Sequence, residues 1–185
     1  MNRKSLFILF LVLVAAAVFT RVLPYLLQFD AVFFQPIMAI GIFSITTFRK
    51  EKTSILVPLA ALLLSDLVIE IAQPGMGFYS GQAINYLLMA VSIGFAYFFN
   101  GKKSVQVAGA AVLVPFVYYL LSNGLMVFAP HANPFYTRDI SGMFASLDAG
   151  FPFFLKDLVS TALFSAVFFG VYRYLVAKNY IKAWA

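Results

Sequence analysis

The sequence predicts an all-α integral membrane protein of six transmembrane helices with both termini in the cytoplasm, and three observations carry that prediction. Of the 185 residues, 63% are hydrophobic and only 11% charged, against about 25% charged in a soluble domain. A water-soluble fold of this size still exposes roughly 30% of its unfolded surface, so it could not hide that much apolar area; the mean hydropathy of +0.92 agrees. Six apolar stretches approach the ~20 residues a helix needs to cross a bilayer, at approximately 5–23, 31–48, 54–72, 82–99, 104–129 and 152–176. Finally, Lys and Arg fall unevenly on the two sets of loops, the bias that sets orientation.

Each span follows from its own residues. Span one is apolar on every face and reaches Pro24, a residue that stops helices. Its start, Arg3-Lys4 before an apolar run and Ala15–Ala17, also fits a secretory signal peptide; cleavage would leave five spans with the same charge asymmetry. Span two opens on Gln35. Span three runs outward, with Asp66 12 residues beyond Ser54 and Glu70 one turn further on the same face. Span four has Gln82 and Asn85 in its first turn. Span five carries Tyr118, Tyr119, Ser122 and Asn123 in its outer half. Span six begins near Pro152, a favoured first helical position, with Lys156 and Asp157 about one turn in. Its Ala162, Ala166 and Gly170 recur every fourth residue and read as a packing stripe.

On one side lie Arg3, Lys4, Arg49, Lys50, Lys52, Lys102, Lys103, Arg173, Lys178 and Lys182, ten of the 13 cations; Arg21, Arg138 and Lys156 lie on the other. The ten mark the cytoplasmic face. Inner loops are short, whereas the outer loops at 24–30, 73–81 and 130–151 are longer. The last, with His131, Tyr136, Arg138, Asp139, Phe144 and Asp148, is too long and too aromatic for a plain linker and reads as a lid or binding loop. No tandem repeat divides the chain, so residues 1–185 form a single integral membrane domain.

Several chemistries are excluded. Without cysteine there is no disulfide, thiol catalysis or thiolate metal site. The one histidine lies outside the spans, so no Ser–His proteolytic pair forms within the membrane. No Gly-x-Gly-Asp, His-Glu-x-x-His or phosphate-binding loop occurs. The expectation is no enzyme, no cofactor and no metal, with any energy supplied by another protein. The cations sit in short clusters between apolar runs, as loop anchors do, and give no nucleic-acid groove.

Nearly every strongly polar intramembrane residue falls in the outer half. An ionisable residue inside a span costs roughly 2.5–3.5 kcal/mol on insertion scales and therefore faces a cavity or a partner. The pattern predicts an outward-open polar bowl closed below by apolar packing. Its candidate ligand contacts are Asp66, Glu70, Asn85, Tyr118, Asn123, Tyr136, Lys156 and Asp157, with Tyr79 as a further aromatic wall. Each has a plainer reading. Asp66 pairs with Lys156 or Arg21; Glu70 is solvated at the interface; Lys156 snorkels outward. Asp157 serves only the helix dipole, Asn123 bonds between helices, and His131 is an ordinary loop residue.

The segments Arg21-Val-Leu-Pro24, Gln35-Pro-Ile-Met-Ala-Ile-Gly41, Leu56-Val-Pro-Leu-Ala-Ala-Leu-Leu-Leu-Ser-Asp66, Ser122-Asn-Gly124 and Phe151-Pro-Phe-Phe-Leu-Lys-Asp157 resemble an uncharacterised family of small bacterial six-helix membrane proteins. That family is in turn similar to the S components, the substrate-binding subunits, of energy-coupling factor vitamin transporters. The resemblance implies an S-component-like bundle in the bacterial cytoplasmic membrane, an outer pocket for a small vitamin-like molecule, and an energy-coupling transmembrane protein with its ATPases as partners. One departure stands out: many S components carry small residues at four-residue spacing on span one to dock their motor, whereas Ala15, Ala16 and Ala17 are consecutive here. Two functions remain open, a substrate-binding subunit for uptake and a non-catalytic membrane scaffold of the cell-shape-accessory kind. A scaffold would have its acids and bases paired off with no void between them.

Overall fold

Six helices occupy the apolar stretches: α1 (Arg3–Leu27), α2 (Ile37–Thr47), α3 (Leu56–Ala72), α4 (Gln82–Gly94), α5 (Ser104–Tyr119) and α6 (Ile140–Ala177). The computed structural model describes residues 3–27, 35–49, 52–129 and 135–180, and among them there is no strand. A 3-10 turn leads into α3, another continues α4 to Phe98, and α5 passes through a π-helical turn at Leu120–Gly124 into a 3-10 turn ending at Phe128.

The centre of the bundle is α2. All 11 of its residues are buried, because its sequence offers no polar face: Ile37, Ile40, Ile42, Phe43 and Ile45 are each at most 2% exposed. Helices α3, α4, α5 and α6 all pack on it. Phe43 meets Phe48, Phe169 and Tyr172 edge-on and Phe168 at a tilt, with ring centroids 5.1–6.1 Å apart. These arrangements add to plain area burial and fasten α2 to the second half of α6. At 1.5 Å per residue α2 is about 16 Å long, roughly half a bilayer's hydrocarbon thickness. It is shorter than the stretch 31–48 expected for span two, whose residues 31–34 lie outside the described residues.

Helix α3 buries Val57, Pro58, Ala61, Leu62, Ser65, Asp66 and Ile69, one face repeating every fourth residue. Its opposite face exposes Leu56, Leu63, Leu64, Leu67, Val68 and Ile71. A helix apolar on both faces is not the pattern of a water-facing surface helix. Helix α1 packs on α3 through Leu13, Val14, Ala17 and Val22 and exposes Leu11, Val12 and Phe19. Two continuous helical runs, Ser104–Phe128 and Ile140–Ala177, are long and apolar enough to cross a membrane; Leu11–Leu23, Ile37–Thr47 and Gln82–Phe98 are shorter apolar helices.

Two proline-based expectations are corrected. Pro24 does not end α1, which runs on to Leu27. Pro152 does not begin α6 but lies inside it, the helix starting 12 residues earlier at Ile140. A proline within a helix removes one backbone bond and crowds the preceding turn; apolar helices tolerate this where neighbours satisfy the freed groups. Most of the expected outer loop 130–151 is therefore helix, and Lys156 and Asp157 sit near the middle of α6, not one turn in.

The true start of α6 has a local cause. Asp139 has extended backbone and its carboxylate accepts the Gly142 N–H at 2.8 Å, the standard way of satisfying a helix's first free amides. Thr137 Oγ1 donates to the same oxygen at 2.8 Å. The Gly142 bond, then the Thr137 bond, hold the Asp139 carboxyl below its usual 3.8. A carboxyl lowered on folding stabilises the helix start above its unfolded value and loses that contribution as pH falls through the lower folded value. Asp139→Ala should therefore speed amide hydrogen exchange at Ser141–Met143 by more at about pH 7 than at acid pH, where the carboxyl becomes protonated. Equal exchange at both pH values would remove the cap from the account.

Candidate functional site

The polar residues predicted for the bowl come from the far ends of α1, α3, α4 and α5 and the middle of α6, and most gather at one end of the bundle. At the hub is Asp66, 4% exposed. Its Oδ1 lies 2.7 Å from Nη2 of Arg21 on α1. Its Oδ2 accepts from Gln82 Nε2 at 2.6 Å and from the Tyr86 hydroxyl, both on α4. Arg21 also donates to the Leu62 carbonyl at 3.2 Å and to Ser65 Oγ. Gln82 also bonds the Gly77 carbonyl at 2.9 Å, drawing the α3–α4 connection into the network. One buried carboxylate thus ties three elements together. The Arg21 pairing is one of the two contacts that the sequence offered Asp66.

Glu70, one turn along, organises the connection instead of facing the cluster. Its two carboxylate oxygens accept the amides of Gly75, Gly77 and Phe78 at 2.9–3.1 Å. Gly77 lies so close to α3 that an added Cβ would sit 2.1 Å from the Asp66 carbonyl oxygen, so only glycine lets this turn close on the helix.

A second chain of bonds runs beside the first. The Tyr118 hydroxyl donates to Asn85 Oδ1, and Asn85 Nδ2 lies 2.9 Å from the Tyr79 hydroxyl. Tyr118 also lies within electrostatic reach of Asp157, Tyr79 and Arg21, which brings α1, α4, α5 and α6 to one region. Two groups there lack an answer. Arg21 Nε is buried without a hydrogen-bond partner, and Asp157, partly buried, makes no hydrogen bond or ion pair among the described residues. Asp157's neighbour Lys156 is exposed, its ammonium 5.8 Å over the Phe153 ring.

Asn123 and Tyr136 stand apart. Asn123 Nδ2 bonds back to the Tyr119 carbonyl at 3.3 Å and to Ser122 Oγ at 3.0 Å. A Cβ on Gly150 would come within 2.4 Å of its Oδ1, so Asn123 marks a close contact of the π-helical turn with α6. Tyr119 strengthens that contact by bonding the Leu147 carbonyl at 2.6 Å and stacking on Phe154. Tyr136 lies on the connection before α6, partly exposed and joined to none of the cluster; His131 lies outside the described residues. The residues missing from the expected set are Tyr86 and Gln82, whose spacing of four on one face of α4 was the available signal.

Two grooves flank α5 and α6 elsewhere. One of about 350 Å³ runs along Val117, Leu121, Gly124, Met143 and Leu147; another, of about 410 Å³, lies between Ser104–Val112 and Ala162–Arg173. None of the eight predicted contacts lines either groove. No three His, Asp or Glu side chains come together as metal ligands among the described residues.

The model of a family of unknown function, DUF6580, matches residues 1–183. The chain belongs to that family. No match is found among curated proteins or among solved structures.

The pairing at Asp66 makes a quantitative prediction. Removing one partner of a buried pair strands the other charge and costs about 3–5 kcal/mol, whereas replacing both with apolar residues is near neutral. In detergent unfolding, Asp66→Ala should lose about that much stability and the double variant Arg21→Met/Asp66→Leu should recover most of it. If the double variant is as unstable as the single, the pair is not what holds this end together.

Proposed function

We propose that the protein is a six-span membrane protein of the bacterial inner membrane, with cytoplasmic termini, that binds a small vitamin-like molecule at its outer end for uptake. The carrying observation is Asp157: a carboxylate inside an apolar helix bundle, without a partner among the described residues, beside the Tyr118–Asn85–Tyr79 chain. An intramembrane acid is retained against a cost of roughly 2.5–3.5 kcal/mol, and an unanswered one calls for something outside the chain to answer it. Arg21 and Asp66 neutralise one another, so the cluster retains the negative charge of Asp157. A ligand with a protonated amine or other cationic group, seated against tyrosine rings, suits that charge. Asp157, Asn85 and Tyr118 are its contacts; Asp66 and Glu70 shape the site without touching it. With no nucleotide-binding motif in the chain, uptake needs an energy-coupling transmembrane protein and its ATPases.

The exposed apolar faces of α1 and α3 and the two long apolar helices support the membrane reading. The inner-end cations also fit it, since Arg49 bonds the Tyr97 carbonyl at 2.7 Å and Arg173 the carbonyls of Gly101 and Lys102 at 3.2 and 3.4 Å. The cysteine-free chain allows a direct check. A single Cys at Ser80 should react with an impermeant maleimide on intact cells, and one at Lys103 only after permeabilisation; the reverse pattern, or labelling of both, sinks the six-span reading.

A second reading, a membrane scaffold, is favoured by the complete pairing of Asp66 and Glu70. Native mass spectrometry of the purified protein separates the two. A bound small molecule lost on Asp157→Asn, with the unfolding midpoint unchanged or raised, establishes the receptor. An empty protein whose stability falls on Asp157→Asn moves the choice to the scaffold.

A further inference from the structure

The inner end carries a second feature that the outer site leaves unused. Between the first half of α5 and the second half of α6 lies the groove of about 410 Å³, walled by Ala108, Ala111, Val112, Ala162, Ala166 and Gly170. The small side chains create it: with Ala and Gly facing one another, the two helices leave a gap that larger residues would have filled. Ser165 lines it, 1% exposed, and its Oγ has no hydrogen-bond partner.

The groove's mouth is cationic. Arg173 and Ser104 line it, and Arg173 Nη1 donates to Ser104 Oγ at 2.7 Å, while Nη2 holds the Gly101 and Lys102 carbonyls. Those three bonds leave part of the five-donor guanidinium over. Lys102 and Lys103 are exposed beside it, Lys178 follows at the end of α6, and no side chain caps the N-terminus of α5. Free helix-start amides and the positive end of the helix dipole favour an anion. The described acids, at 66, 70, 139, 148 and 157, all belong to the other end or the middle of the bundle.

We propose that this groove is a binding site for an anionic phospholipid of the inner leaflet, its acyl chain between α5 and α6 and its phosphate at Arg173, Lys102 and the start of α5. The charge at its mouth selects this occupant. A second copy of the chain would bring its own inner-end cations against these. Basic pockets between helices on the cytoplasmic side are how membrane proteins hold such head groups. The assignment to the inner leaflet rests on the six-span reading; the preference for an anionic lipid does not.

The test is native mass spectrometry of the full-length, delipidated protein in detergent, titrated with phosphatidylglycerol and phosphatidylcholine of identical acyl chains. Phosphatidylglycerol should bind at least about fivefold more tightly, and Arg173→Gln should remove about fivefold, the worth of one cation at a lipid surface. Because Arg173 also holds the inner loop, a second variant is needed. A Cβ added at Gly170 meets nothing within 4 Å, so Gly170→Leu should fill the groove and abolish the phosphatidylglycerol preference with the unfolding midpoint unchanged. Equal binding of the two lipids, or a preference that survives Gly170→Leu, overturns the proposal. So does a parent dimer that Gly170→Leu splits, since that puts a second copy in the groove. Maleimide labelling that reversed the topology while the lipid preference held would move the site to the other leaflet and leave its chemistry standing.

Discussion

One end of this bundle is assembled around a single carboxylate, Asp66. A charge buried among apolar helices is costly unless it is both paired and hydrogen-bonded, and Asp66 meets both conditions with groups from separate elements: Arg21 of α1 and Gln82 and Tyr86 of α4. That demand fixes more than one pair. Arg21, drawn to Asp66, reaches the Leu62 carbonyl and Ser65 as well, so α1 is held against α3 at its end. Gln82, drawn to the same carboxylate, grips the Gly77 carbonyl and closes the α3–α4 connection, which Glu70 completes from the other side. Among apolar surroundings side-chain packing is non-directional, and it is these polar contacts that set the register of α1, α3 and α4.

At the opposite end, where the α4–α5 connection meets α6, the helices are held by small residues and backbone. Gly101 lies where a Cβ would come within 2.7 Å of Phe169, so the α4–α5 connection presses onto α6, and Arg173 pins it there through two carbonyls. Aromatic rings around Phe43 fill the space that α2 shares with α6. That half of the bundle is closed by rings and close backbone contact, the half around Asp66 by a charged network.

Much of this was legible in the sequence. The six helices lie where the apolar runs are, because length and hydropathy are summed properties that no single residue can upset. The Asp66–Arg21 contact was one of a short set of alternatives, since a buried acid needs a base and few are within reach. What escaped depended on local competition. Pro24 and Pro152 read as boundaries because proline forfeits a helix bond, yet both helices run on through them. The start of α6 was signalled by Asp139, a good cap residue, but the aromatic content of the following turns resembled a loop. Tyr86 was passed over because a tyrosine in an apolar helix usually needs no explanation, and only the position of Asp66 opposite gives it one. The π-helical turn at Leu120–Gly124 follows from no residue preference; it shows only when the helix is seen packed.

The contrast between the two acids in the cluster bears most directly on function. Asp66 has every oxygen answered, and such a group is structural by its energetics: a ligand reaching it would have to displace Arg21, Gln82 or Tyr86 and would gain little that they do not already supply. Asp157 sits on the middle turns of α6 and is answered by nothing described in the chain, although a residue of almost any other kind there would be easier to bury. A fold that builds a full network for one carboxylate and leaves the next one open is not short of polar partners. Asp66 is held wholly by groups of its own chain, whereas Asp157 has no such partner among the described residues; under the proposed function that difference makes Asp157, and not Asp66, the ligand contact, and its carboxylate sets the sign of the ligand's charge.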